Sequence, residues 1–324
     1  MTKRLLSGIQ PSGPLHLGNY LGAVKPWTEL QNDYDAFIML ATYHALTTKP
    51  EPAVLREQTL DLTAMLVACG IDPKITALFL QLPEHVELAG ILGNFVGLGA
   101  LDRMTQFKEK SSRHGQNAGL YTYPILQAAD ILTYEPDVVP VGEDQAQHLE
   151  LTRDVAQAVN SHAGKKVLVE PKTLLSKAPR VMALNDPTKK MSKSIPGSAI
   201  GLLDDEAAIE RTIKRAVTDS DPNSSAISSA LKNLFVILAG VSSAETVEHF
   251  EKLRQDGKLR YSDLKEALIE DTIHLLKPIQ AAYQSLRADE PNLLKVLDAG
   301  RCVAQPIAIA TLKKVKDALG LITN

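Results

Sequence analysis

The feature that most restricts the fold is a change of pattern near residue 200. Before it, short runs of β-branched and other apolar residues alternate with longer amphipathic stretches, and after it only the helical spacing remains. Alternating strands and helices are typical of βαβ units and therefore of a parallel sheet. We expect an α/β protein with a Rossmann-like, doubly wound parallel sheet and a C-terminal all-helical domain. The predicted domains are residues 1–200 and 201–324, with the last helices free to pack back on the first domain.

The expected elements follow from these periodicities. The predicted strands cover residues 4–9, 36–42, 76–81 and 138–141. The predicted helices of the first part cover residues 18–31, 52–69, 84–95, 121–134 and 145–160. Those of the second part cover residues 205–217, 226–238, 244–255 and 264–286. Gly70 lies where a helix-ending glycine belongs, directly after the second of these helices.

Composition excludes several classes of protein. The 324 residues include two cysteines, Cys69 and Cys302, which are far apart in the sequence. They form no C-x-x-C motif and no Cys/His cluster, so neither a disulfide framework nor a zinc site is indicated. No apolar stretch reaches the roughly 20 residues that span a bilayer. The formal net charge of −3 is not that of a purely electrostatic nucleic-acid binder. We therefore expect a cytoplasmic protein with no membrane partner, in which any polyanion meets a local basic patch.

One such patch stands out. Residues 186–194 read DPTKKMSKS, with three lysines on a short loop that is followed by Pro196 and Gly197. On a chain of slightly negative net charge, this density of ammonium groups indicates a bound anion. The alternative is a solvated basic loop without a ligand.

A second loop follows the first predicted strand. Residues 8–23 read GIQPSGPLHLGNYLGA, at the carboxyl end of a strand, where open α/β sheets bind ligands. The dinucleotide fingerprint G-x-G-x-x-G and the P-loop G-x-x-x-x-G-K-[ST] are both absent from the sequence, which argues against an NAD enzyme or a P-loop ATPase. Taken alone, this loop could be a plain turn and His16 a structural histidine.

Together the two loops resemble the paired motifs of the class I aminoacyl-tRNA synthetases. The first motif corresponds to His16-Leu17-Gly18-Asn19, and the second, Lys190-Met191-Ser192-Lys193-Ser194, matches at every position. The resemblance implies that the anion is the triphosphate of ATP. A carboxylate that attacks the α-phosphorus is already ionised, so the reaction needs positioning and charge neutralisation rather than a general base. Lys190 and Lys193 would neutralise the departing pyrophosphate, and His16 would act at the α-phosphate.

Further blocks resemble the bacterial tryptophanyl-tRNA synthetases over essentially the whole chain. These blocks are RMTQFKEKS at 103–111, TYPILQAADIL at 122–132, VPVGEDQAQHLELTRD at 139–154 and AVTDSD at 216–221. The resemblance implies catalytic roles for His16, Lys110, Lys190 and Lys193. It implies ATP contacts by Gln10, Pro11, Ser12, Gly18, Asn19, Gly142, Glu143, Asp144, Val181, Lys190, Met191, Ser192, Lys193 and Ser194. It implies tryptophan contacts by His44, Gln106, Tyr123, Gln127, Asp130 and Gln145, with Asp130 accepting the indole N–H.

The same resemblance implies the partners. The substrates would be L-tryptophan, ATP and tRNA(Trp), and the protein would be a homodimer. Mg²⁺ would arrive with ATP and be held mainly by its phosphates, without a dedicated protein metal site. Basic residues of the helical part, among them Arg254, Lys258 and Arg260, are candidate contacts for tRNA.

Two departures concern the amino-acid pocket. Gln127 stands where the family usually has methionine, and Ala41-Thr42-Tyr43-His44 replaces a segment that more often reads Val-Asp-Gln-His. Gln127 lies one helical turn before Asp130, so we expect its amide to orient that carboxylate or to accept a second hydrogen bond from the substrate. A glutamine at this spacing also resembles the tyrosyl-tRNA synthetases, which remain an alternative.

The paired motifs are also compatible with a metabolite nucleotidyltransferase of the same superfamily and with a catalytically silent binding protein. The helical second part argues against the nucleotidyltransferase. The retained His16, Lys190 and Lys193 argue against the silent binding protein.

Overall fold

A five-stranded parallel sheet forms the centre of the first part of the chain. The computed structural model describes residues 2–104, 117–142, 145–175, 180–193, 195–224 and 226–322. The strands are β1 (Arg4–Ile9), β2 (Asp35–Leu40), β3 (Thr76–Leu80), β4 (Val138–Val141) and β5 (Lys172–Leu175). Their order in the sheet is β3-β2-β1-β4-β5, and every pairing is parallel. The chain therefore builds outward from β1 in one direction and then restarts on its other side, so the topological switch point lies between β1 and β4.

The helices surround this sheet and then continue alone. In the first part they are α1 (Leu17–Asn19), α2 (Lys25–Leu30), α3 (Thr42–Ala45), α4 (Pro52–Ala68), α5 (Pro83–Leu92), α6 (Leu98–Asp102), α7 (Ala118–Tyr134) and α8 (Ala146–Ala163). In the second part they are α9 (Glu206–Lys214), α10 (Ser229–Val241), α11 (Ala244–Gln255), α12 (Tyr261–Arg287) and α13 (Glu290–Ala318). A π-helical turn at Tyr20–Val24 joins α1 to α2. Within the described residues, no helix is both long and apolar enough to cross a membrane.

The predicted fold class is confirmed. The four predicted strands are present, with ends that differ by two residues at most, and the predicted helices are present with shifted ends. The single helix expected over 18–31 is divided into α1, the π turn and α2. The division into domains at residue 200 stays a prediction.

Four of the described strands and α-helices were not predicted, namely the short helices α3 and α6, the strand β5 and the last helix, α13. β5 is only four residues long, begins with Lys172 and follows Pro171, so it shows neither a long apolar run nor a clear alternation. α13 contains Gly300 and Pro306, residues that weaken a helical pattern, yet it runs for 29 residues. Tertiary packing accounts for α13, because its buried face lies on the sheet.

The contact between α13 and β3 is made by main chain against main chain. Ala304 and Ala308 are fully buried, and a Cβ atom built on Gly300 would lie 2.0 Å from the carbonyl oxygen of Leu78. Only a glycine permits this approach. Since β3 is the last strand at its end of the described sheet, α13 protects an edge that would otherwise offer unpaired peptide groups.

We predict that Gly300→Ala lowers the free energy of unfolding by about 1–3 kcal/mol or more, because the new methyl group overlaps the β3 backbone. Gly90→Ala in α5 is the matched control, since a Cβ there has nothing within 4 Å. In that helix the change should be neutral or stabilising by up to about 1 kcal/mol. Urea titration of both variants measures the two effects. Equal stabilities for the two variants would contradict the packing described here.

Candidate functional site

The site begins at the topological switch point. The pairing of Leu5 with Val138, continued along both strands, brings the end of β1 level with Gly142 after β4. The turn after β1 is tight, since the Ser12 N–H donates to the Gln10 carbonyl at 2.9 Å and Gly13 has a φ of +118°. Two sets of predicted ATP contacts, residues 10–12 and Gly142, therefore lie on the two sides of the crevice between these strands.

His16 caps the start of α1. Its Nδ1 accepts a hydrogen bond from the Asn19 N–H at 3.3 Å, and the His16 N–H donates to Asn19 Oδ1 at 3.1 Å. Burial lowers the pKa of His16 to about 4, and Lys193 and Lys190 contribute to this lowering. The ring is therefore neutral at pH 7, and because Nδ1 is an acceptor, its proton is on Nε2. His16 thus offers a neutral N–H donor beside two ammonium groups.

The lysine loop lies directly against this first motif. The Met191 side chain is 3% exposed, and a Cβ on Gly18 would lie 3.3 Å from Met191 Cβ and 3.1 Å from the His16 ring. Backbone hydrogen bonds fix the same region, from Leu17 N–H to the Ile200 carbonyl at 2.8 Å and from Leu202 N–H to the Leu15 carbonyl at 3.0 Å. Two motifs that are far apart in the sequence therefore contact each other in one site.

The lysines of the loop are not equivalent. Lys189 Nζ pairs with Asp186 Oδ2 at 2.9 Å. The pKa of Asp186 is lowered to about 2, first by hydrogen bonds from Thr188 and then by Lys189. Lys193 is half-buried, and burial lowers its pKa while Asp204 opposes that shift. Lys189 is thus paired with a carboxylate, and Lys190 and Lys193 are the lysines that contribute to the lowered pKa of His16.

A short ladder holds the loop in place. The Ala183 N–H donates to the Lys189 carbonyl at 2.8 Å, and the Met191 N–H donates to the Val181 carbonyl at 3.1 Å. The Ser192 N–H donates to Ser198 Oγ at 3.2 Å. The side chains of Val181 and Met191, both predicted ATP contacts, are 3% exposed and belong to the hydrophobic core.

The predicted amino-acid side of the site is built around Asp130, which is 3% exposed. His44 Nε2 lies 2.7 Å from its Oδ2, while Gln81 Nε2 and His85 Nδ1 lie 2.7 Å and 3.0 Å from its Oδ1. Burial alone would raise the pKa of this carboxyl, but His44 and then His85 outweigh it, and the pKa falls to about 2. Asp130 is therefore an ionised carboxylate that can only accept hydrogen bonds, so the three neighbours are donors.

This arrangement restricts what Asp130 can still bind. A carboxylate has about four acceptor positions, and the described residues use three of them. As far as the described residues show, one acceptor position remains, on Oδ2, the oxygen that also accepts from His44. The indole of tryptophan has a single N–H donor, so the one remaining acceptor position on Asp130 is sufficient for the predicted contact.

The sequence patterns did not identify Gln81 and His85 as residues of the site. Gln81 directly follows β3, and its side chain also accepts the Tyr43 N–H at 2.9 Å. His85 is in the first turn of α5. The available signal was a polar residue at the carboxyl end of a predicted strand, because open α/β sheets bind ligands at that edge.

The expectation that Gln127 orients Asp130 is wrong. The Gln127 amide donates instead to Gln145 Oε1 at 3.2 Å. The physical reason is that donors from α3, from the end of β3 and from α5 already surround the carboxylate. Gln127 and Gln145, both predicted to contact tryptophan, are therefore joined to each other.

Tyr123, a further predicted contact, is buried beside His148. Its hydroxyl lies 2.8 Å from His148 Nε2, and burial raises the pKa of the phenol to about 12. Tyr123 therefore stays protonated at neutral pH and is held by a hydrogen bond.

Five predicted site residues lie outside the described residues, and their roles stay predictions. They are Gln106, Lys110, Glu143, Asp144 and Ser194. In the part of the chain that is described, no group of three or more His, Cys, Asp or Glu side chains is placed to hold a metal ion.

Known proteins match this chain in sequence and in structure. Residues 2–277 match the family described as tRNA synthetases class I (W and Y). The chain is 46% identical to the tryptophan–tRNA ligase of Helicobacter pylori, over 99% of each chain. Its structure is similar to a tryptophanyl-tRNA synthetase from Mycoplasma pneumoniae, with a TM-score of 0.90, 38% identity and 99% of each chain covered. A tryptophanyl-tRNA synthetase from Campylobacter jejuni, solved with ADP and tryptophan, gives a TM-score of 0.84 and 32% identity over 98% of this chain and all of that one.

The pKa of Asp130 predicts a pH-dependent stability. Because the folded pKa, about 2, is below the ordinary value of 3.8, the stabilisation is complete above about pH 5 and is lost as the pH falls through about 2. Asp130→Asn has no such titration. We predict that the difference in unfolding free energy between the unmodified protein and this variant shrinks by about 2 kcal/mol between pH 5 and pH 2. Denaturant titrations across that range measure it, and a difference that does not change with pH would contradict the assignment.

Proposed function

The chain belongs to the class I tRNA synthetases of the tryptophan and tyrosine group, and from that membership we propose how its residues carry out the reaction of a tryptophan–tRNA ligase. The enzyme uses L-tryptophan and ATP, and the tyrosine-specific and nucleotidyltransferase alternatives are not favoured. In the first step a carboxylate oxygen of tryptophan bonds to the α-phosphorus of ATP, and the bond to pyrophosphate breaks. In the second step a ribose hydroxyl at the 3′ end of tRNA(Trp) bonds to the tryptophanyl carbonyl carbon, and the bond to AMP breaks.

The observation that carries this mechanism is the joining of His16 to the lysine loop. The attacking carboxylate needs no base, so the task of the protein is to hold the reactants in line and to stabilise the charge that moves onto pyrophosphate. Lys190 and Lys193 provide positive charge for the leaving group. His16, kept neutral by burial and by those same lysines, donates its Nε2–H to an α-phosphate oxygen.

On the other side of the crevice, Asp130 receives the indole N–H at its remaining acceptor position. Tyr123 and Gln145, with Gln106, hold the ammonium and carboxylate groups of the amino acid. His44 closes the pocket from α3 and keeps Asp130 oriented. The Campylobacter jejuni relative, solved with ADP and tryptophan, supports a site that takes both a nucleotide and an amino acid.

The remaining partners follow from the same proposal. Mg²⁺ enters as part of the ATP substrate and is bound by phosphate oxygens. The tRNA binds across a homodimer in the cytoplasm, along basic positions of the helical part. Arg260 is exposed and Lys258 is likewise exposed, whereas Arg254 is half-buried and donates to the Ser224 carbonyl at 3.1 Å. The two exposed residues are therefore the better candidates for contact with tRNA.

We predict that Lys193→Ala slows adenylate formation by about 30-fold to 1,000-fold while tryptophan binding stays nearly unchanged, because the ammonium acts chiefly in the transition state. Pre-steady-state adenylation measures this effect. Lys189→Ala is the matched control, since Lys189 is paired with Asp186, and its effect should be much smaller. An unaltered rate in Lys193→Ala would refute the role given to that lysine.

We also predict that ATP–pyrophosphate exchange depends on tryptophan and not on tyrosine. Asp130→Asn should raise KM for tryptophan by about tenfold or more, since a hydrogen bond to a buried carboxylate is worth about 1–3 kcal/mol. Gln127→Met should be milder, because its amide contacts Gln145 rather than Asp130. Exchange stimulated more strongly by tyrosine than by tryptophan would overturn the specificity and leave the class I mechanism intact.

A further inference from the structure

A buried asparagine connects the helical part of the chain to the lysine loop. Asn233 lies on α10 and is 4% exposed. Its Oδ1 accepts the Met182 N–H at 2.8 Å, and its Nδ2 donates to the Met182 carbonyl at 2.9 Å. One side chain thus satisfies both backbone groups of one residue, a geometry that fixes distance and direction together.

Met182 lies at the centre of the segment that holds the loop. It forms an antiparallel bridge with Lys190, and its neighbours Val181 and Ala183 bond to the backbone of Met191 and Lys189. The position of Met182 therefore sets the position of Lys190 and, through the loop, that of Lys193. Asn233 contacts Met182 and so acts on the lysines through a single intermediate segment.

The surroundings of Asn233 do not otherwise call for a polar residue. Its helical neighbours Leu231, Leu234 and Ile237 are all buried in the hydrophobic core. An amide in such a place is tolerated only when its donor and acceptor are both satisfied. The Met182 backbone satisfies both.

A similar clamp is present elsewhere and serves as a reference. Asn223 Oδ1 accepts the Leu259 N–H at 2.9 Å, and its Nδ2 donates to the Leu259 carbonyl at 3.1 Å. Asn223 and Leu259 both precede α12 and lie within the helical part. The two clamps have the same chemistry, but only that of Asn233 leads to the lysine loop.

We propose that Asn233 is a positioning residue for adenylate formation. It holds residues 181–183 so that the ammonium groups of Lys190 and Lys193 lie at the correct distance from His16. This inference rests on the proposed function. Loss of the clamp lets the ladder shift, and small displacements of a charged group reduce its effect on a transition state strongly. Among the described residues, no hydrogen bond joins Asn233 or Met182 to the tryptophan side of the site, which is built on α7 and the ends of β2 and β3, so that side should keep its affinity.

The test is a double-mutant cycle on ATP–pyrophosphate exchange. Asn233→Ala should lower kcat by about tenfold or more while KM for tryptophan changes by less than about twofold. In the background of Lys193→Ala the same change should lower kcat by clearly less than it does in the unmodified protein, because the part of the effect that passes through Lys193 is already lost and only the part through Lys190 remains. Asn223→Ala is the control. It should lower the melting temperature as well, leave kcat within about twofold, and combine additively with Lys193→Ala.

Asn233→Asp provides a second variant of the same size. When ionised, it keeps an acceptor for the Met182 N–H and replaces the donor by a second oxygen that faces the Met182 carbonyl, so it breaks one half of the clamp and adds a buried negative charge. We expect a lowered kcat and an unchanged KM for tryptophan. A kcat equal to that of the unmodified enzyme in either folded variant, or additivity with Lys193→Ala, would overturn the inference alone. Absence of tryptophan-dependent exchange in the unmodified protein would overturn the proposed function as well.

Discussion

The close approach of Met191 to Gly18 is the contact that joins the two sequence motifs of the site. It joins the start of α1 to a loop that follows in the sequence only after the whole sheet has been built. With no side chain at residue 18, the loop comes near enough for its lysines to act on His16. The backbone hydrogen bonds of Leu17 and Leu202 hold the same contact from the main chain.

Two regions of opposite charge lie at the carboxyl edge of the sheet. Around β1 and β4 the lysines make a cationic region that, together with burial, keeps His16 neutral, which suits the oxygens of a triphosphate. Around β2 and β3 a buried carboxylate is held ionised by donors from three neighbouring elements. The reacting phosphorus and carboxylate would meet between these regions. The first region is held by α1 and the segment 181–202, and the second by α3, α5, α7 and the end of β3.

Sequence patterns predicted the local structure well where a single element determines it. The apolar runs of β1 to β4 and the helical spacing of α4, α7 and α8 needed no tertiary information. β5 was not predicted because four residues are too few to show a strand pattern. α13 was not predicted because Gly300 and Pro306 disfavour a helix, which packing on β3 then stabilises. The two nucleotide motifs were found because they are contiguous. Gln81 and His85 were missed because their importance lies in a shared neighbour, Asp130.

By itself, the sequence determined the α/β class, the positions of the two motif loops and the family, since these depend on residue order and spacing over short stretches. Only the tertiary structure decided the charge states and the partners. It turned Gln127 toward Gln145, gave Asp130 three donors, paired Lys189 with Asp186 and tied Met182 to Asn233. The physical reason is that a hydrogen bond or a pKa depends on which groups exclude water from one another. That exclusion follows from packing between residues that are distant along the chain.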